Sequence, residues 1–192
     1  EASVIQGYSN KHHDGFLGHS FLGEWVNIGA MTTNSDLKNT YGTIRLGLEG
    51  FGQVDSGVLK LGCFLADHVK LGIGLHLNGG AVIGTGSNIF GVHFAPKTIP
   101  PFTWGGEVFR EYRIDGMVDV ARKVMGRRKI ALSEHAEALL REVFAMTRGS
   151  RAELTGIAVE RPTGAPVDSS EAALTRAEAE AILAFDPAQR AG

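Results

Sequence analysis

Aliphatic residues recur at every sixth position along part of this chain. Leu59, Leu65, Leu71, Leu77, Ile83 and Ile89 are spaced six apart without a break, and Gly72 and Gly84 directly follow two of them. Phe16, Leu22 and Ile28 keep the same spacing, with Gly23 and Gly29 after the last two. Neither the helical period of 3.6 nor a two-residue alternation produces a strict six. The spacing predicts a chain wound as a triangular prism, in which each hexad supplies one short flat strand and a turn. Three hexads, ~18 residues, would close a coil, and coils would stack at the ~4.8 Å strand spacing. The aliphatic residue should point inwards and the small residue beside it should occupy the tight corner. Each buried Leu or Ile would contribute roughly 1.5–3 kcal/mol. A β-sandwich would instead show turn signals every ~8–12 residues. The spacing leaves the hand of the winding open.

The repeat also sets the expected organisation. Of 26 glycines, 20 fall within residues 1–107, whereas alanine occurs 5 times before residue 115 and 16 times from there on. This predicts a mainly β fold, a parallel β-helix of hexapeptide repeats over 1–106, followed by a C-terminal α-helical extension over 107–148. The tail, 149–192, is expected to be partly helical, over 171–185, or poorly ordered. The repeat is interrupted by an inserted loop at about 31–58 that opens with the polar run Thr32 to Asn39. Such an insertion either carries function or is a solvated loop without consequence. Pro96 to Gly106 reads as an extended arm closing the prism, with Phe102 and Trp104 covering apolar surface. A helix is expected near Asp115 to Arg128, with Met117, Val120, Ala121, Val124 and Met125 on one face. A second starts at Ser133 as N-cap and carries Leu139, Leu140, Val143, Phe144 and Thr147.

Composition removes several function classes. A formal net charge of −2 gives no reason to expect nucleic acid or an anionic membrane as partner. No apolar run approaches the ~20 residues of a membrane helix. The lone cysteine, Cys63, precludes an internal disulfide, suggests a reducing, cytoplasmic setting and reads as a buried filler. Glu1 opens the sequence without a signal-peptide pattern, and the chain reads as a fragment of a longer one. The seven histidines include no pair five positions apart, the spacing that a zinc site on a trimeric β-helix of the carbonic anhydrase kind uses, so no metal is expected.

The chemistry-bearing segment is Ser9-Asn10-Lys11-His12-His13-Asp14-Gly15-Phe16-Leu17-Gly18, a polar bend directly before a regular coil. Acyl transfer to an amine needs a base for the amine proton and a donor for the oxyanion. An imidazole with a pKa near ~6.5 suits the first task, and backbone amides at a glycine-rich corner suit the second. On residue type alone His12 and His13 read as ordinary surface histidines.

The string His13-Asp14-Gly15-Phe16-Leu17-Gly18 together with Val26-Asn27-Ile28-Gly29-Ala30 resembles the acetyltransferase domain of the bacterial bifunctional N-acetylglucosamine-1-phosphate uridyltransferase/glucosamine-1-phosphate acetyltransferase family. Lys60 to Gly74 is more similar to the archaeal sugar-1-phosphate nucleotidyltransferase/acetyltransferases, and the resemblance as a whole spans about residues 4–105. It implies a left-handed β-helix, a homotrimer, acetyl-CoA as acyl donor and an amino-sugar 1-phosphate as acceptor. It further implies His13 as catalytic base, Asn27 on the sugar and Ala30 at the acetyl-CoA site. Asn34 and Ser35 fall at an acetyl-CoA contact if two residues are deleted, and Lys38 then lies near a basic residue of the substrate loop. Two departures stand out: Phe16 replaces a substrate-contacting tyrosine, and Met31 replaces a glycine next to the cofactor. The family's phosphate-gripping basic residues and its nucleotidyltransferase domain would lie before Glu1. The departures favour an alternative, a non-catalytic β-helix that trimerises or regulates a sugar-nucleotide pyrophosphorylase. Acyl transfer to another small amine is a third reading.

Overall fold

The computed structural model describes residues 1–155 except 49, 92 and 107. The helix expected over 171–185, like the rest of the tail beyond 155, lies outside the described residues. The first coil begins with β1 (Val4–Ile5), and the second supplies β2 (Phe21–Leu22), β3 (Asn27–Ile28) and β4 (Thr33–Asn34). A hairpin follows, β5 (Arg45–Leu48) with β6 (Gly52–Asp55). Winding resumes with β7 (Phe64–Leu65), β8 (Lys70–Leu71) and β9 (His76–Leu77), then β10 (Val82–Ile83) and β11 (Asn88–Ile89). It ends with β12 (Thr98–Ile99), β13 (Thr103–Gly105) and β14 (Phe109–Glu111). Three helices complete the order: α1 (Ile114–Arg127), α2 (Glu134–Met146) and α3 (Arg148–Thr155). No helix among the described residues is long and apolar enough to cross a membrane.

The strands form three parallel faces, giving a mainly β, β-helix-like prism. The first face runs β1-β2-β7-β10-β12. The second runs β3-β8-β11-β13, with β14 added antiparallel at its end. The third is β4-β9, extended by a parallel bridge from His76 to Phe94. Each face is held by backbone bonds between coils, such as Asn27 N–H to Val69 O and Thr33 N–H to Leu75 O, both 2.9 Å.

The six-residue period fills the interior as expected over most of its length. Leu22, Ile28, Leu65, Leu71, Leu77, Ile83 and Ile89 are all buried, and the series continues to Ala95. Its two outer members are corrections. Phe16 is 43% exposed, because the first coil is one residue out of phase and Leu17 packs against the core instead; a one-residue slip turns a strand side chain to the opposite face. Leu59 is 49% exposed, because it precedes the third coil and lies at the base of the insertion, where Lys60 bridges Leu37.

A second ladder of period six lies two residues before the first and is also buried: Ser20, Val26 and Thr32, then Cys63, Val69, Leu75, Ala81 and Ser87. Its hydroxyls substitute for backbone partners between coils. Ser20 Oγ donates to Gly18 O and accepts from Cys63 N–H, and Thr32 Oγ1 donates to Gly72 O and accepts from Leu75 N–H. These two buried hydroxyls are thus paired rather than stranded.

The glycines after the inward residues do not make the bend, which corrects the corner assignment. A Cβ on Gly29 would lie 2.3 Å from Gly72 O, and one on Gly84 2.3 Å from the Pro101 nitrogen. They permit one coil to approach the next. The bend falls two residues later, at left-handed residues such as Trp25 (φ +61°), Met31 (φ +62°), His68 (φ +61°) and Gly74 (φ +71°).

The insertion starts later than its polar run suggests, since Thr33 and Asn34 are β4 on the third face. Beyond the prism, Phe102 is fully buried and centres a second core with Met117, Ala121 and Leu140. Ser133 caps α2 by accepting from Ala136 N–H at 3.2 Å. On that helix Leu139 is 63% exposed, whereas Leu140 is buried. On α1 the buried face is Met117, Val118, Ala121 and Met125, leaving Val120 and Val124 half-buried over a surface cleft.

Candidate functional site

His13 sits on the corner between the second and third faces of the first coil. The bend that carries it is tied down from below and from within. Asp14 O accepts from Met31 N–H at 2.8 Å and from the Lys11 ammonium at 3.0 Å, and Lys11 also donates to His13 O. Gly15 has φ +124°, and a Cβ there would lie 2.1 Å from Thr32 O, so only glycine fits this bend. The His13 ring itself is exposed and meets His12 edge-on, with centroids 5.1 Å apart. A rigid backbone therefore presents a solvent-facing imidazole.

Ala30 occupies the same corner one coil later and continues the stack, because its carbonyl accepts from Gly74 N–H at 2.9 Å. Met31 beside it is 62% exposed. Asn27 precedes this corner on β3, where its side-chain oxygen accepts from Asn10 Nδ2 at 3.0 Å. It faces a cleft of 500 Å³ bounded on the far side by α1. His13, Ala30 and Asn27 thus share one edge of the prism.

The remaining sequence candidates lie across the third face, at its other corner. The Phe16 ring folds over Gly18, where a Cβ would be 2.3 Å from it. Asn34 is buried, and its amide is spent inside the prism: Oδ1 accepts from Gly18 N–H at 2.9 Å, and Nδ2 donates to Gly18 O and Ser35 O. Ser35 is exposed, with its hydroxyl on Leu37 O. Lys38 points into the insertion and donates to Thr43 O. Burial, and then the Lys38 charge, hold Lys97 below the ordinary lysine range.

This second corner also holds a pair that sequence reading missed. His19 Nδ1 and Asp36 Oδ2 are 2.7 Å apart, both half-buried. The two residues stand on turns of successive coils, and the bond ties those coils together. A carboxylate on Nδ1 also fixes the ring and leaves Nε2 as its outward end. The available signal was their separation of 17 residues, the length of one coil here, as in the registers Val4↔Phe21 and Asn10↔Asn27. Cys63 takes no part in chemistry of this kind, since burial pushes its thiol up to about 11. Among the described residues no group of three or more His, Cys, Asp or Glu is placed to hold a metal ion.

Comparison with known proteins adds one finding at this point. Part of the chain is similar to a bifunctional transferase. Over 88 residues it is 33% identical to the bifunctional sugar-1-phosphate nucleotidylyltransferase/acetyltransferase of Sulfurisphaera tokodaii. The match takes in 46% of this chain and 22% of that protein's length. No family model matches.

Proposed function

We propose that this chain transfers an acetyl group from acetyl-CoA to the amino group of an amino-sugar 1-phosphate, on a prism whose coils wind left-handed. The observation that carries the reading is the edge formed by His13, Ala30 and Asn27, where an exposed imidazole on a tied-down backbone stands one coil from a small residue and beside an amide lining a cleft. The name of the Sulfurisphaera tokodaii relative, which includes acetyltransferase, supports the same reading.

In this scheme the acceptor amine attacks the thioester carbonyl, a C–N bond forms and the C–S bond breaks. His13 takes the proton released by the amine, and the departing thiolate is protonated. Asn27 positions the sugar, Ala30 leaves room for the acyl donor, and the exposed Ser35 flanks the donor from the other corner. Asn34 acts indirectly, by holding Gly18 and so the turn of His19. The two corners of one protomer are separated by its third face, so we place the complete site between protomers of a homotrimer, with Phe16 and Lys38 reaching the acceptor from the neighbour.

A second reading, a non-catalytic trimerisation or regulatory prism, is favoured by one observation. Phe16, Met31, Ile73 and Phe94, on or beside the third face, are 43–77% exposed, as an association surface would be. Thermal denaturation with and without acetyl-CoA separates the two. The acetyltransferase gains a melting-temperature rise that grows with coenzyme concentration. An unchanged melting temperature at saturating coenzyme would leave the scaffold reading standing alone.

A further inference from the structure

The cleft beside Asn27 collects positive charge without neutralising it. Its floor is the second face, with Asn10, Asn27 and Lys70, and its roof is the end of α1, with Arg127 and Arg128. Asn27 and Lys70 are adjacent in register on β3 and β8. Lys70 donates to Trp25 O and His68 O, which accept hydrogen bonds but cancel no charge. None of the three cations forms an ion pair with a described residue. Basic residues at a helix C-terminus are ordinary, because the helix dipole favours them there. Here they also line the same cleft as the half-buried Lys70, and the dipole does not account for that third cation.

Burial lowers the Lys70 ammonium to about 8, so its charge at neutral pH is held at a cost to the fold. The remaining walls are suited to an uncharged body attached to an anion. Tyr8 is half exposed and lies flat on Trp25, with centroids 4.2 Å apart and planes 6° apart. Val120 and Val124 supply apolar contact, and the Asn10–Asn27 amide pair supplies donors and acceptors.

We infer that this cleft is a phosphate-monoester site, in which Arg127, Arg128 and Lys70 hold the phosphate of a small molecule whose body rests on Tyr8 and the Asn10–Asn27 pair. Arginine offers paired donors to phosphate oxygens, and a phosphate would supply the anionic partner that none of the three cations has among the described residues. That the bearer is the amino-sugar acceptor rests on the acetyl-transfer reading, whereas the anion site does not.

Calorimetric titration of the full chain tests this with glucosamine 1-phosphate, glucosamine and adenosine 3′,5′-bisphosphate, the last standing for the phosphate end of a coenzyme. At least one phosphate compound should bind, and glucosamine should bind at least ~10-fold more weakly than its 1-phosphate. Arg127→Ala with Arg128→Ala should weaken the phosphate compound at least ~10-fold, whereas Lys123→Ala on the same helix should not. Both arginines are exposed, so the double variant should keep its melting temperature. The tighter of the two phosphate compounds names the bearer. Absence of binding by both, or binding that the double variant leaves intact, overturns the inference. Acetyl transfer with unchanged KM in the double variant would remove the cleft and spare the reaction. Phosphosugar binding without acetyl transfer would do the reverse.

Discussion

The prism and the helical cap bury their cores by different rules. Within the prism the core is a stack of aliphatic side chains repeated from coil to coil, and the hydroxyls of Ser20 and Thr32 and the Asn34 amide, buried among them, are all paired. In the cap the core gathers around one aromatic, Phe102, and is locked by one charge. Arg151 is buried, yet Nε donates to Glu111 at 2.9 Å, its other nitrogens reach Thr147 and Phe144 O, and its guanidinium lies 4.1 Å from the Phe144 ring centroid. That one side chain joins α3 to β14 and α2. Repetition spreads stability over many similar contacts, whereas the cap concentrates it.

The contrast can be broken most forcefully from the prism side. Leu71→Ala removes an inward side chain packed between coils and should cost about 2–5 kcal/mol in urea unfolding. Because coils support one another, hydrogen exchange should accelerate in strands of all three faces. Acceleration confined to β8 would show that the coils are not cooperative.

Arg151→Ala should cost less, about 2–3 kcal/mol. That is below the ~3–5 kcal/mol of a fully buried broken pair, because Glu111 is one-third exposed. Exchange should quicken in α2 and α3 while β7 to β11 stay protected. Equal loss of protection in the prism would mean that cap and prism are one cooperative body.

Lys70→Met tests the prism on the smallest scale, since it removes a charge that burial forces into a strand of the second face. The folded pKa is lowered to about 8, below the ordinary lysine value, so the unfolded chain holds the proton more tightly. Wild-type stability should therefore rise with pH between about 8 and 10.5, and the penalty is fully present below that window. Lys70→Met should be more stable at pH 7 by on the order of 1 kcal/mol. Its advantage should shrink as pH climbs through the window. A constant difference would mean that Lys70 is not strained by burial.

Legibility in the sequence follows the same division. The aliphatic period was readable because one residue type repeats at inward positions, and it misled only at Phe16 and Leu59, where phase slips or the insertion begins. The second ladder was hidden because Ser, Val, Thr, Cys, Leu and Ala share a position but no chemistry. Asn34 was placed at an acetyl-CoA contact by the resemblance alone, and no local pattern announced that its amide is spent inside a coil. Ser133 was readable as a local cap, whereas Arg127 and Arg128 acquire meaning only once α1 docks over the second face. His13 was singled out by the resemblance rather than by its polar bend, and Asp36 could be joined to His19 only through the coil length.

The most direct measurement is steady-state acetyl transfer to glucosamine 1-phosphate by the wild-type chain and by His13→Ala, with melting temperatures recorded for both. The account predicts at least ~100-fold lower kcat/KM in the variant at an unchanged melting temperature. Equal turnover in the two proteins would contradict it and take the base away from this corner.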